Sequence, residues 1–125
     1  MGSPLHLLLV DDSDDDAVLI ARAFARAGYL PICERVQTAE TLAAALRARS
    51  DWDALLCDSV PRLDLDRVVT MTRGARPTLP ILVVSGCQDP ERREQIARVA
   101  DALISKERLE DVPAAVKGLR RRPLR

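Results

Sequence analysis

The sequence predicts an α/β fold: a doubly wound sheet of five parallel strands with helices on both faces. Five short apolar runs alternate with five segments of helical hydrophobic spacing along 125 residues. Strands joined in this way run parallel, with right-handed crossovers through the helices. A content of 47% hydrophobic and 30% charged residues is typical of a globular protein, and the length is that of one domain.

The predicted strands are short apolar runs that end at polar or charged residues. They cover residues 5–10, 31–36, 54–57, 81–84 and 102–104. The run at 31–36 is the least apolar of the longer ones, so we expect that strand at an edge of the sheet. The run at 5–10 is typical of a strand buried on both faces.

A helix is predicted after each strand. Ser13 is expected to cap the first helix, Gly28 to end it, and Pro90 to begin the fourth after the cap residue Asp89. The second helix is predicted over 38–49, the third from about 65 to 74, and the last around 113–119. Residues 14–16 are all Asp, and we favour a solvated start of the first helix, matched to its dipole, over an extension of a metal site.

Composition argues against several classes of function. The 19 basic and 19 acidic residues balance, which argues against a dedicated nucleic-acid or membrane-surface protein. No apolar run is long enough to cross a membrane, and no signal peptide is evident. We therefore expect no membrane or nucleic-acid partner, and we interpret residues 120–125 as a basic tail.

The three cysteines, Cys33, Cys57 and Cys87, are widely spaced and fit neither a disulfide framework nor a zinc site. We expect buried or half-buried thiols in a reducing cytoplasm, with redox sensing at Cys57 or Cys87 as the alternative.

Polar residues follow four of the predicted strands. Asp11 and Asp12 follow the first strand and Asp58 the third, while Ser85 follows the fourth and Lys106 the fifth. In doubly wound folds ligands bind at the carboxyl ends of the strands, so these side chains are expected to converge. Three carboxylates repel one another and favour a divalent cation, and oxygen ligands suit Mg²⁺. An aspartate can attack phosphorus, while a hydroxyl and an ammonium can contact the phosphoryl oxygens.

With these residues the chain resembles a response-regulator receiver domain. The matching segments are Leu8-Leu9-Val10-Asp11-Asp12, Leu55-Leu56-Cys57-Asp58 with Pro61 nearby, Leu82-Val83-Val84-Ser85-Gly86 and Leu103-Ile104-Ser105-Lys106. Each segment alone is a weak signal, but together they come in the order and at the spacing of the family. The resemblance implies a flavodoxin-like sheet with strand order 2-1-3-4-5.

The resemblance also implies a role for each strand-end residue. Asp58 would be the phosphoacceptor, and Ser85 and Lys106 would contact the phosphoryl group. Mg²⁺ would be bound by Asp58, by Asp12 directly and by Asp11 largely through water. The backbone carbonyl of Val60 would be a further metal ligand.

A cytoplasmic signalling protein of a two-component system is the expected context. The phosphodonor would be a sensor histidine kinase or a phosphotransfer protein, and the output would be contact with a downstream protein, with a homodimer also possible. The chain would be one receiver domain, 1–125, without an output domain. It would not be an enzyme beyond phosphorylating and dephosphorylating itself.

Departures from the family pattern support a first alternative. Pro61 comes three residues after Asp58, where the family usually has four, and Leu103 occupies a position that is usually aromatic. Both departures favour a binding module that works without phosphorylation.

A small phosphatase with an aspartate nucleophile is the second alternative. Asp12-Ser13-Asp14 formally matches the Asp-x-Asp pattern of the haloacid dehalogenase type.

Overall fold

The computed structural model describes residues 2–11, 13–58, 64–86 and 88–120. Asp12, Val60, Pro61, Cys87 and the tail beyond Arg120 lie outside the described residues, so the expectations for them stay predictions.

Five strands and five α-helices alternate within the described residues. The strands are β1 (Ser3–Val10), β2 (Tyr29–Val36), β3 (Ala54–Asp58), β4 (Ile81–Ser85) and β5 (Ala102–Ser105). The helices are α1 (Asp14–Arg26), α2 (Ala39–Ala48), α3 (Leu65–Ala75), α4 (Pro90–Val99) and α5 (Val112–Arg120), and a 3-10 helix, Lys106–Asp111, precedes α5. The predicted α/β alternation is therefore confirmed.

The strands form one parallel sheet in the order β2-β1-β3-β4-β5, as predicted. Val10 of β1 lies opposite Val36 of β2 and Cys57 of β3. At the other end of the sheet Ser85 of β4 lies opposite Ser105 of β5. This register brings the carboxyl ends of β1, β3, β4 and β5 to one edge of the sheet.

Both faces of the sheet are covered by helices. Neighbouring residues of each central strand point to opposite sides, so each of these strands contributes to two cores. Leu8 of β1 packs in the core beneath α2, α3 and α4, whereas Leu9 packs in the core beneath α1 and α5. β1, β3 and β4 are therefore apolar on both faces, as expected of buried parallel strands.

Helix ends follow the predicted signals. Ser13 caps α1 by accepting a hydrogen bond from the Asp16 amide, and Asp89 caps α4, which begins with Pro90. Gly28 has a φ of 93°, a conformation that side-chain-bearing residues rarely adopt, and it turns the chain from α1 into β2. None of the described helices is both long and apolar enough to cross a membrane.

The edge strand corrects one expectation. Cys33 is exposed, whereas Cys57 is buried as expected. β2 has a neighbouring strand on one side only, and Leu30 and Ile32 are exposed along with Cys33. An apolar run in an edge strand therefore does not imply burial of its cysteine.

The two-sided core leads to a stability prediction. Leu82 is 0% exposed, whereas Leu30 is 55% exposed. Leu82→Ala is expected to lower the free energy of unfolding by about 2–5 kcal/mol because it leaves a cavity. Urea unfolding followed by Trp52 fluorescence measures this change. The matched control Leu30→Ala should change it by less than about 1 kcal/mol, and an equal loss in both variants would contradict the assigned burial.

Candidate functional site

Asp11 begins the site at the carboxyl end of β1. Its backbone amide donates to the Val36 carbonyl at 3.3 Å, which extends the pairing with β2 by one step. Its Oδ1 accepts a hydrogen bond from the Ser13 amide at 2.8 Å. The carboxylate is therefore fixed by the chain that follows it, and the residue is only 7% exposed.

Arg35 of the neighbouring strand anchors the same loop. Its Nη1 donates to the Asp11 carbonyl at 3.3 Å, and its Nη2 lies 2.6 Å from Oδ1 of Asp14. One guanidinium thus contacts both the end of β1 and the first residue of α1. This double contact restricts the position of Asp11 relative to α1.

Asp58 is the last residue of β3, and its side chain is 16% exposed. The four residues before it are buried, so the strand end is held by packing on both faces. β3 lies beside β1, where Cys57 pairs with Val10. The next residues of the two strands, Asp58 and Asp11, are therefore brought together.

Asp16 joins these two carboxylates and corrects the expectation of a wholly solvated helix start. One carboxylate oxygen from each of Asp11, Asp16 and Asp58 lies within 4.8 Å of the others. Asp16 is half-buried, whereas Asp14 and Asp15 are exposed as expected. We call Asp11, Asp16 and Asp58 the acidic trio.

Lys106 follows β5 and is the cation of the site. Its Nζ lies 2.9 Å from Oδ2 of Asp16 and 3.5 Å from Oδ1 of Asp58. A Cβ placed on Gly86 would be 3.8 Å from Cδ of Lys106, which is ordinary van der Waals contact. The stem of Lys106 therefore passes close to the backbone that follows β4.

Ser85 is the last residue of β4 and is 3% exposed. Its strand lies next to β3, with Val84 opposite Asp58. The structure therefore places Asp11, Asp58, Ser85 and Lys106 at one edge of the sheet, and Asp12 and Val60 lie outside the described residues.

The electrostatics of the site follow from burial and from the crowded carboxylates. Burial and the nearby charges of Asp16 and Asp58 raise the pKa of Asp11 to about 6, against the lowering effect of the Ser13 hydrogen bond. Burial lowers the pKa of Lys106, but the hydrogen bond that its ammonium donates to Asp16 and the charges of the three carboxylates raise the pKa overall. Lys106 therefore stays positively charged at neutral pH.

The neighbouring thiol is unreactive for the same reasons. Burial, with the charges of Asp58 and Asp11, raises the pKa of Cys57 to about 12. A thiol that stays protonated at neutral pH is a poor nucleophile. The structure therefore gives no support to redox sensing at Cys57.

The donor set fits a divalent cation. Three carboxylates and one ammonium leave an excess of negative charge in a small volume. Carboxylate oxygens are the hard ligands that Mg²⁺ prefers. Asp16 was not among the residues predicted to converge at this edge of the sheet. The available signal was its place three residues after the cap residue Ser13, where a side chain can turn back toward the preceding strand end.

Similar folds are found among solved structures, although no protein-family model matches the chain and no curated protein does. A protein of Chloroflexus aurantiacus named as a response regulator has a TM-score of 0.79 and 25% identity, covering 96% of this chain and 100% of that one. A response regulator receiver protein of Sinorhizobium medicae has a TM-score of 0.71 and 21% identity, with 94% of each chain covered.

A third similar structure is the receiver domain of a sensor histidine kinase from Pseudomonas aeruginosa, described with a magnesium ion in its active-site cleft. Its TM-score is 0.74 at 17% identity, and the match covers 94% of this chain and 98% of that one. The chain therefore shares the five-stranded parallel α/β fold of these response regulators and receiver domains, as the resemblance implies.

The raised pKa of Asp11 predicts a pH-dependent stability. The folded protein holds this proton more tightly than the unfolded chain, so the free energy of unfolding should fall as pH rises from about 4 through about 6. Asp11→Asn keeps the acceptor for Ser13 but removes the charge, and it should stabilise the protein by about 1–3 kcal/mol at pH 7. Urea unfolding in the presence of a metal chelator, at pH 4 and pH 7, measures the difference.

Asp15→Asn removes the same charge from an exposed position and is the matched control. It should leave the pH dependence of the wild type in place. If Asp11→Asn changed stability equally at pH 4 and pH 7, the raised pKa assigned to Asp11 would be wrong.

Proposed function

We propose that the chain is a phosphoacceptor receiver of a two-component system or phosphorelay, with Asp58 as the residue that is phosphorylated. The main support is the position of Asp58 beside Asp11 and Lys106, at the edge of the sheet where doubly wound folds bind ligands. The similar structures named above are receiver domains or response regulators.

The proposed reaction is attack by a carboxylate oxygen of Asp58 on the phosphorus of a phosphohistidine. A P–O bond forms, the P–N bond breaks, and its electron pair returns to the imidazole. Because the transition state of such transfers is loose, positioning and charge neutralisation matter more than covalent assistance. The buried strand below Asp58 provides the positioning.

Lys106 and Ser85 would act on the transferred group. Lys106 already lies 3.5 Å from Asp58, so a short movement of its flexible side chain would bring the ammonium onto a phosphoryl oxygen. Ser85 ends the strand next to Asp58, and its hydroxyl would donate to another oxygen. Both roles are also those implied by the resemblance.

Asp11, Asp12, Asp58 and the Val60 carbonyl are the proposed ligands of Mg²⁺. When bound, Mg²⁺ would neutralise charge on the carboxylates and on the phosphoryl oxygens. The acidic trio supports a cation at this place, while the parts of Asp12 and Val60 rest on the resemblance.

The partners proposed from this chemistry are proteins. The phosphodonor would be a sensor histidine kinase or a phosphotransfer protein, and the phosphorylated chain would signal by binding a downstream protein in the cytoplasm. We propose that residues 1–125 act as one receiver domain. A homodimer stays a prediction.

The two alternatives differ in what the structure offers them. Leu103 is half-buried and packs against the core beneath α2, α3 and α4. A leucine at this position cannot act as a rotating aromatic side chain, and this favours the phosphorylation-independent binding module. For the phosphatase, Asp14 would have to work with Asp12, but its carboxylate contacts Arg35 and is 85% exposed. The structure therefore favours the binding module as the second candidate.

The proposed chemistry predicts a covalent adduct on Asp58. Incubation with Mg²⁺ and acetyl phosphate should add the mass of one phosphoryl group, stable in acid and labile in base. Asp58→Asn should abolish the adduct because the amide is not a nucleophile, whereas Asp15→Asn should keep it. Intact-protein mass spectrometry makes the measurement. No adduct on the wild type, or an adduct on Asp58→Asn, would reject the proposal.

Metal binding is predicted independently of phosphorylation. Mg²⁺ at about ten times its Kd should add about 1.4 kcal/mol to the free energy of unfolding, and NMR shifts should appear around Asp58 and Gly86. Asp58→Asn should weaken the binding and Asp15→Asn should not. Absence of any shift at millimolar Mg²⁺ would favour the phosphorylation-independent binding module.

A further inference from the structure

We propose that Asp16 is a positioning residue that holds the ammonium of Lys106 before phosphorylation and releases it to the phosphoryl group afterwards. This inference deepens the proposed function and rests on it, since the release needs a phosphoryl group on Asp58. In this proposal Asp16 controls where the Lys106 ammonium lies, which is a different role from binding the metal.

The two contacts of Lys106 differ in kind. The distance of 2.9 Å to Asp16 is that of a charge-assisted hydrogen bond, while the distance of 3.5 Å to Asp58 is that of an ion pair without a short hydrogen bond. Lys106 thus rests mainly on Asp16. The two residues are 90 positions apart in sequence, so their contact depends on the folded arrangement of α1 and β5.

The first turn of α1 directs only one of its three aspartates to this contact. Asp14 contacts Arg35, and Asp15 is exposed. Asp16 donates its backbone amide to the Ser13 hydroxyl at 3.3 Å, and its side chain faces Lys106. The cap therefore fixes both the start of α1 and the position from which Asp16 reaches the site.

Phosphorylation changes the balance between the two contacts. An aspartyl phosphate would bring roughly two negative charges and three strong acceptor oxygens to Asp58, where the unphosphorylated side chain carries one carboxylate. Lys106 would move onto these oxygens because they attract it more strongly than the single carboxylate of Asp16. The hydrogen bond from Lys106 to Asp16 would break, and water would hydrate the released carboxylate.

The lysine content of the chain provides a direct probe. Lys106 and Lys117 are the only lysines, so protein labelled with ¹³C-lysine gives two ε-methylene NMR signals. Lys117 is exposed on α5 and serves as an internal reference. Asp16→Asn removes the charge while keeping the size of the side chain, and Asp15→Asn removes the same charge one residue away.

The expected result has two parts. Without a phosphodonor, Asp16→Asn should shift the Lys106 signal several-fold more than Asp15→Asn does, and the Lys117 signal should stay in place. After phosphorylation with Mg²⁺ and acetyl phosphate, the Lys106 signals of the wild type and Asp16→Asn should converge, because both ammonium groups then contact the phosphoryl oxygens. Asp16→Ala, which favours helix, repeats the test with a second side chain.

If the phosphoryl adduct forms normally, either of two results would overturn the role of Asp16 and leave the proposed function in place. One is a Lys106 signal that Asp16→Asn shifts no more than Asp15→Asn does. The other is a difference between the wild type and Asp16→Asn that persists after phosphorylation. Failure of the wild type to form any adduct would overturn the proposed function as well, and the spectra without phosphodonor would still report whether Asp16 holds Lys106.

Discussion

The repulsion among three carboxylates held at the end of a buried sheet governs the chemistry of this protein. Two unit charges about 4 Å apart interact with roughly 4 kcal/mol at an effective dielectric near 20. The oxygens of the acidic trio lie within 4.8 Å of one another. The site therefore needs positive charge, and a proton on Asp11, the ammonium of Lys106 and a divalent cation are three ways to supply it.

The fold resists this repulsion because its strongest packing lies directly beneath it. β3 is buried up to the residue before Asp58, and the chain is buried from Leu7 of β1 to Asp11. Separating Asp11 from Asp58 would require moving the ends of two strands that are hydrogen bonded to each other and packed on both faces. A binding site for a cation or a phosphoryl group requires charged groups that a rigid core holds in place despite their repulsion. Unfavourable local interactions of this kind are expected at functional sites.

The sequence predicted best what depends on strong local patterns. The buried strands stood out as apolar runs, and their carboxyl ends meet in any doubly wound sheet, so the grouping of Asp11, Asp58 and Lys106 followed from topology. Asp16 could not be placed in this way. Its position in the first helical turn fits a solvated acid equally well, and its contact with Lys106 depends on how α1 approaches β5. Cys33 was misjudged because hydrophobicity along a strand does not show whether a helix covers that part of it.

Lys106 links the charge balance of the acidic trio to the proposed phosphorylation of Asp58. A lysine without another strong partner would rest on Asp58, where it would oppose the approach of a cation to the same carboxylate. With Asp16 as its hydrogen-bond acceptor, Lys106 lies near Asp58 but directs its shorter contact elsewhere. In the proposed reaction, the ammonium would therefore start within reach of a phosphoryl group on Asp58. Asp16 adds to the repulsion among the carboxylates. Under the proposed function, the same residue would keep the Lys106 ammonium available for a phosphoryl group on Asp58.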